Sequence, residues 1–169
     1  MTKLTFVSQL EDTAEYEALL REYYVNVLRV AEKAGLPKLS ATDLAAESID
    51  HIDEALPPEG RLLLANADDG TLIGCGMLRR IRPDAVELKR VFVRPEAQGQ
   101  KLGVKILRTL LSEAESMGCS GLYADTVKGN DAMTRICEYL GFEYIDRYAE
   151  NANPVAYAPF LVFMRYSFT

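Results

Sequence analysis

The sequence predicts an α/β fold: a mixed central sheet of about seven strands, flanked by about four helices, in a single domain over residues 3–169. Three observations predict it. Short apolar or alternating runs interchange with longer stretches of helical periodicity. Glycine, proline and capping residues separate nearly every pair, and no repeat or low-complexity segment interrupts them. A chain of 169 residues, 49% apolar and 26% charged, has the size and balance for one core.

The elements follow in order. "KLTFV" is a short strand. From Asp12 onward, Tyr16, Leu19, Leu20, Tyr23, Val27, Val30 and Ala34 recur at helical spacing. Asp12 with Glu15 makes the N-terminal cap, and Gly35 before Pro37 makes the stop. Ser40 and Asp43 repeat the cap ahead of a second helix through "SATDLAAESIDHIDEAL", which Pro57-Pro58 ends. "GRLLLANADDGTLIGCGMLRRI" reads as a hairpin turning at "ADDG", and "AVELKRVFV" as the next strand. After a glycine-punctuated turn, Leu102, Ile106, Leu107, Leu110, Leu111, Ala114 and Met117 form one helical stripe, ended by Gly118. "GLYADTV" is a strand and "NDAMTRICEYL" a helix stopped by Gly141. "FEYIDRY" and "APFLVFMRYSF" close the sheet. The order is β-α-α-β-β-β-α-β-α-β-β, a mixed sheet with helices on its faces.

Composition excludes several functions. A formal charge of −6 opposes nucleic-acid binding, which cationic phosphate neutralisation drives. Cys75, Cys119 and Cys137 are widely spaced, and His51 is the only histidine, so neither a disulfide framework nor a metal site is expected. A Ser-His-Asp system would have to use His51, far from any nucleophile elbow. "MTKLTFVSQLED" lacks an apolar core and no run is long enough for a bilayer, so the expectation is a cytoplasmic protein without a membrane partner.

The chemistry concentrates in "ELKRVFVRPEAQGQKLGVKIL". Strict alternation sets Glu87, Lys89, Val91 and Val93 on one face, and Leu88, Arg90 and Phe92 on the other. Arg94-Pro95 ends the strand. The turn then enters a helix whose first N–H groups lack partners, and Gly99 and Gly103 let an anion such as a pyrophosphate approach that backbone. Neither the P-loop pattern nor GxGxxG is present.

"VFVRPEAQGQKLGVKIL" resembles the acetyl-CoA pyrophosphate motif of the GNAT superfamily of N-acyltransferases, Arg/Gln-x-x-Gly-x-Gly/Ala. Gln98, Gly99, Gln100, Lys101, Leu102 and Gly103 fall on it, with Lys101 where the motif has its first glycine. The element order matches that family, as does "GLYADTV…NDAMTRICEYLGFEYI". "GRLLLA", "ELKRVFV" and "NPVAY" are similar to one branch of small bacterial members.

The resemblance implies the GNAT fold, acetyl-CoA as cosubstrate, and direct acyl transfer to the amine of a small or amino-acid-like substrate. It also implies that the fourth strand splays from the fifth, with pantetheine pairing to the main chain of Phe92 and Val93. The Val93 amide then faces the developing oxyanion, and Asn130 hydrogen-bonds the cofactor; the plainer reading of Asn130 is an N-cap, which does not exclude that contact. Glu87 is the candidate base; the alternative is a Glu87–Lys89 pair serving only itself. The family's leaving-group acid, a tyrosine four residues before the Leu-Gly-Phe glycine, is Cys137 here. That thiol is either a weak acid or a small core hydrophobe. Tyr139 lies roughly 200° further around the helix and faces elsewhere. The first two helices, His51 and "RYAENANPVAY" are expected to form the acceptor pocket, and "FLVFMRY" is a candidate strand for pairing two subunits. Two alternatives stand beside acetyl transfer: use of another acyl-CoA, or a module that binds acyl-CoA without turnover.

Overall fold

Asp12 and Ser40 act where the capping pattern places them. The Glu15 amide donates to Asp12 at 2.9 Å and the Asp43 amide to Ser40 at 3.2 Å. They open α1 (Thr13–Ala34) and α2 (Ala41–Asp50). In the computed structural model, which describes residues 1–169, these helices follow β1 (Lys3–Val7) and precede β2 (Gly60–Asn66), β3 (Leu72–Arg82) and β4 (Ala85–Val93). α3 (Leu102–Ser116), β5 (Gly121–Val127), α4 (Asp131–Leu140), β6 (Glu143–Ile145) and β7 (Leu161–Ser167) complete the chain.

The sheet order is β1-β2-β3-β4-β5-β7-β6, antiparallel except where β4 and β5 run parallel. α3 and α4 cover one face, where Leu102, Ile106, Leu107 and Leu110 pack with Leu63, Leu78, Val86, Leu88 and Leu122. α1 covers part of the other, setting Tyr16, Leu19 and Leu20 on Leu62, Cys75, Met77 and Phe92. Alternation along each strand thus feeds two separate apolar layers.

Three details depart from the sequence expectation. α2 ends at Asp50, and a 3₁₀ turn over Ile52–Ala55 covers the approach to the prolines. β6 keeps only three residues of "FEYIDRY", and "VAYAPF" is a 3₁₀ turn that feeds β7. β7 also lies inside the sheet. β5 occupies one of its edges and β6 the other over Phe163–Arg165, so this strand offers little free backbone to a second subunit.

Candidate active site

β4 is where the fold and the site meet. It pairs with β5 only over Ala85–Leu88 against Gly121–Ala124. Beyond Leu88 and Ala124 the two strands diverge, while each keeps its other neighbour: Phe92 and Val93 pair with Cys75 and Gly74, and Asp125–Val127 pair with Phe163–Leu161. The gap therefore leaves main-chain groups of both strands without sheet partners. The Arg94 amide donates to Ile73 of β3, so strand alternation turns the Val93 amide the opposite way, toward the gap.

The gap opens into a cavity of about 650 Å³. α1 supplies Tyr23, Tyr24 and Val27, α2 supplies Leu44 and Ser48, and the 152–157 segment supplies Asn153 and Tyr157. His51 stands at the mouth, so the helices, histidine and loop expected to form the pocket do line it. Five ionisable groups occupy its inner wall or the layer just behind: Arg79, Lys89, Arg90 and Asp125 on the surface, and Glu87 beneath.

Arg90 is on this wall because β4 does not alternate strictly. Cys75 pairs with Phe92 and Met77 with Lys89, so two residues of β4 stand opposite the single Gly76. This is a β-bulge, and it reverses the facing of everything after it. Arg90 takes a φ of +53°, in the left-handed region, and reaches Tyr24 and Met77 on the α1 side. Val91 and Val93 join the α3 layer, while Phe92 joins the α1 layer. Glu87, Lys89 and Arg90 consequently share one face, in place of the split that alternation predicts. Gly76 permits this: a Cβ there stands 2.7 Å from Leu110 Cδ1, so α3 presses directly on the bulge.

Glu87 is fully buried, with every side-chain oxygen engaged. Its carboxylate accepts from Arg79 Nη2 at 3.0 Å, from Tyr148 Oη at 2.6 Å and from Asn151 Nδ2 at 3.3 Å. Lys89 Nζ is further off, at 4.0 Å, so the strand-neighbour pair exists but is the weakest of these contacts. Asn151 Nδ2 also donates to Asp125 at 2.7 Å, and Asn153 Nδ2 to Asp125 at 3.1 Å. Glu87, Tyr148, Asn151 and Asp125 thus form one connected network that reaches the cavity at Asp125. Burial raises the Asp125 pKa above the ordinary aspartate value, and the Glu87 charge adds to that. Burial lowers the Lys89 pKa, helped by the Arg90 charge.

The sequence reading did not single out Asp125, Arg79, Tyr148, Asn151 or Asn153. The available signal was the one that exposed Glu87: Asp125 is a lone acid in the apolar strand "GLYADTV". The loop residues carried no such signal, since polar side chains are ordinary in a loop.

Gln98–Gly103 lie outside the cavity walls, at the N-terminus of α3. No side chain caps that helix, so its first amides remain available to an anion. Gly99 has a φ of +89° and Lys101 one of +58°, so the lysine holds a left-handed conformation that the usual glycine takes without strain. Gln98 Nε2 donates to the Val93 carbonyl at 3.0 Å, tying the turn to the end of β4. Gly103 has a packing reason to be small as well, since a Cβ there stands 3.3 Å from Ile136 Cδ1 of α4. Asn130 lines the cavity and stands at the N-cap position of α4, but its side chain makes no capping bond; its Nδ2 donates to Thr126 Oγ1 at 2.9 Å. Cys137 is fully buried in the α3 layer and burial pushes its thiol up to about 12. Tyr139 is 70% exposed, facing away from the site.

The site thus has three parts: an α3 turn whose first amides lack side-chain caps, a gap between β4 and β5 that exposes main chain, and a cavity that this gap opens into. Among known proteins, an uncharacterized N-acetyltransferase of Schizosaccharomyces pombe is 34% identical over 99 residues, 58% of this chain and 61% of that protein. An IAA acetyltransferase of Azospirillum brasilense is 35% identical over 91 residues, 53% of this chain and 58% of that one. The chain thus spans about three fifths of the length of the curated relatives it matches. The PaiA N-acetyltransferase of Thermoplasma acidophilum, solved in complex with coenzyme A, shares the fold with a TM-score of 0.72. That overlay is 18% identical and covers 98% of this chain and 99% of that one. The GNAT acetyltransferase family model matches residues 16–142, which contain the splayed strands, the α3 turn and Asp125, and the chain belongs to that family.

Proposed function

We propose that residues 3–169 act as one domain catalysing acetyl-CoA-dependent N-acetylation of a small amine. The observation that carries this reading is the β4–β5 gap leading into a cavity walled by ionisable groups. Gln98–Gly103 would hold the diphosphate through main-chain amides, with the Lys101 ammonium adding charge. The main chain of Phe92 and Val93 and the Asn130 side chain would hold the arm that enters the gap. Acetyl-CoA, when bound, supplies the acetyl group as a thioester.

The chain's own residues handle the acceptor. An amine attacks only when neutral, so its proton needs a nearby acceptor. Asp125, which meets the cavity, accepts it. Glu87, the acid singled out in the sequence, stands behind, because Asn151 donates to both carboxylates and passes no proton between them; the Glu87 charge adds to burial in making Asp125 more basic. Burial raises the Asp125 pKa and makes it a stronger base than an exposed aspartate. The Val93 amide is aimed at the gap, where it can donate to an oxygen that gains charge. Cys137 takes no part, because a buried thiol with a pKa near 12 is a poor proton donor at neutral pH. A thiolate leaves readily without protonation by a dedicated side chain.

The buried Cys137 also favours a second reading, in which the domain binds an acyl-CoA without turnover. A thiol-release assay with acetyl-CoA and an amine library separates the two. Sustained release, dependent on the amine and exceeding the enzyme concentration, is the expected result. Acetyl-CoA binding by calorimetry without such release would establish the binding module instead.

A further inference from the structure

We propose that Arg90 is a docking site for a carboxylate on the acyl acceptor, so that the substrate is an amine carrying a carboxylate. The proposal rests on the N-acetyltransferase reading above. Its starting point is that Arg90 lacks an acid. Arg61 pairs with Glu113, Arg79 with Glu87, Arg80 with Glu59, Arg82 with Glu150 and Arg94 with Glu22. Arg90, in the middle of the same strands, has only neutral partners. Its Nε donates to Tyr24 Oη at 3.1 Å and its Nη1 meets Met77 Sδ at 2.9 Å, while Nη2 has no protein partner and the residue lines the cavity.

The guanidinium is held in place rather than loosely exposed. Ser48 Oγ donates to the Leu44 carbonyl at 2.8 Å, so its contact with Tyr24 Oη at 2.9 Å is a hydrogen bond that Tyr24 donates. The Tyr24 oxygen is then free to accept from Arg90 Nε. α1 and α2 thereby fix the orientation of Arg90 before any ligand arrives. The backbone contributes too. The φ of +53° is costly for a residue with a side chain, and its consequence is that the guanidinium faces the α1 cavity rather than the α3 layer.

Charge decides what kind of group docks there. Arg79, Lys89 and Arg90 face only two carboxylates, Glu87 and Asp125, so the inner cavity carries one surplus positive charge. One carboxylate balances it. A phosphate dianion overshoots, and exposed Glu47 and Glu54 at the mouth repel it more strongly than they repel a single carboxylate. The phosphates of acetyl-CoA are not the partner, because their amide site is at the α3 turn while Arg90 points to the α1 side. With the carboxylate on Arg90, the amine of the same molecule is left to the β4–β5 gap and to Asp125.

The test pairs α- and ω-amino acids with their own carboxamides as acceptors. In the wild-type protein kcat/KM should favour the carboxylate member of the best pair on the order of 10²-fold, as expected for a hydrogen bond between charged groups. Arg90→Met should bring that ratio close to one, with acetyl-CoA affinity unchanged by calorimetry. Arg90→Lys should keep part of it. Equal kcat/KM within every wild-type pair overturns the proposal, and so does an Arg90→Met protein that keeps the preference. Should Arg90→Met fold poorly, the wild-type ratio still decides, and Tyr24→Phe should lower it by loosening the guanidinium. Binding of the N-acetylated acids and amides to CoA-saturated protein separates this idea from the transferase reading. Selective binding of the acids without turnover keeps the Arg90 site and removes the transferase. Turnover without selectivity removes the Arg90 site alone, and neither selectivity nor turnover removes both.

Discussion

On the face under α3 and α4, β2 to β5 present Leu63, Leu78, Val86, Leu88, Leu122 and Ala124, all nearly inaccessible. On the face under α1, β3 to β5 present Met77, Arg79, Glu87, Lys89, Arg90 and Asp125. The same pleat therefore builds an apolar layer on one side, and on the other an apolar layer that gives way to a charged cavity wall. The bulge at Arg90 sharpens the contrast, moving a third charge out of the apolar layer and Val91 and Val93 into it. Apolar packing dominates one face and ionisable groups gather on the other, so substitutions on each face should fail in different ways.

The largest effect is expected on the apolar face. Leu110 is fully buried and lies against Gly76, directly behind the bulge. Leu110→Ala should cost about 3 kcal/mol in denaturant unfolding, the usual loss for a buried leucine. A loss below about 1 kcal/mol would mean that α3 does not support the bulged strand. On the charged face, Glu87→Gln keeps the shape but removes the charge that three donors share. It should lower kcat/KM on the order of 10²-fold and leave acetyl-CoA affinity alone. Equal kcat/KM for variant and wild type across the pH range would make Glu87 purely architectural.

Cys137 tests the boundary between the faces. Cys137→Ala should keep kcat within about tenfold of wild type, a barrier change below ~1.4 kcal/mol. A collapse of kcat in a folded variant would restore the thiol to the mechanism. Cys137→Tyr should disturb folding rather than improve catalysis, because the position has no exposed surface and is walled by the α3 layer.

Element order was legible because local signals set it: Asp12 and Ser40 cap helices, "ADDG" turns the hairpin, and Gly118 and Gly141 follow helix ends. Glu87 was legible as an acid inside a strand. The facing of Arg90 was not, because a bulge depends on the partner strand: Gly76 and Leu110 decide it, and neither is near Arg90 in sequence. Asp125 joins Glu87 only through Asn151, a loop residue whose position depends on the whole return to β7. Local pattern reached the elements, whereas the network needed tertiary structure.

Lys89 gives the comparison a pH dependence. Burial lowers its folded pKa below the ordinary lysine value that it keeps when unfolded. The unfolded chain binds the proton more tightly, so stability is lost as pH falls from that ordinary value through the lowered one. Lys89→Met removes this loss. The variant should gain on wild type in unfolding free energy as pH drops through that window, and a constant difference as pH falls from 10.5 would contradict the burial of this charge.

The smallest effect is expected at Lys101, away from both faces. Its φ of +58° at the start of α3 is a conformation that costs an L-residue about 1 kcal/mol. Lys101→Gly relieves that strain but gives the unfolded chain more freedom, which offsets roughly 0.5 kcal/mol of the gain. The net should be a slight stabilisation, read as a small rise in the denaturation midpoint with an unchanged slope. Binding provides the independent readout. The glycine keeps the main-chain amides of the turn and loses the ammonium, so acetyl-CoA should still bind, with weaker dependence on ionic strength. Wild-type salt dependence in the variant would mean that the ammonium does not face the diphosphate. A lower midpoint would mean that the lysine side chain contributes more to the turn than its backbone strain removes.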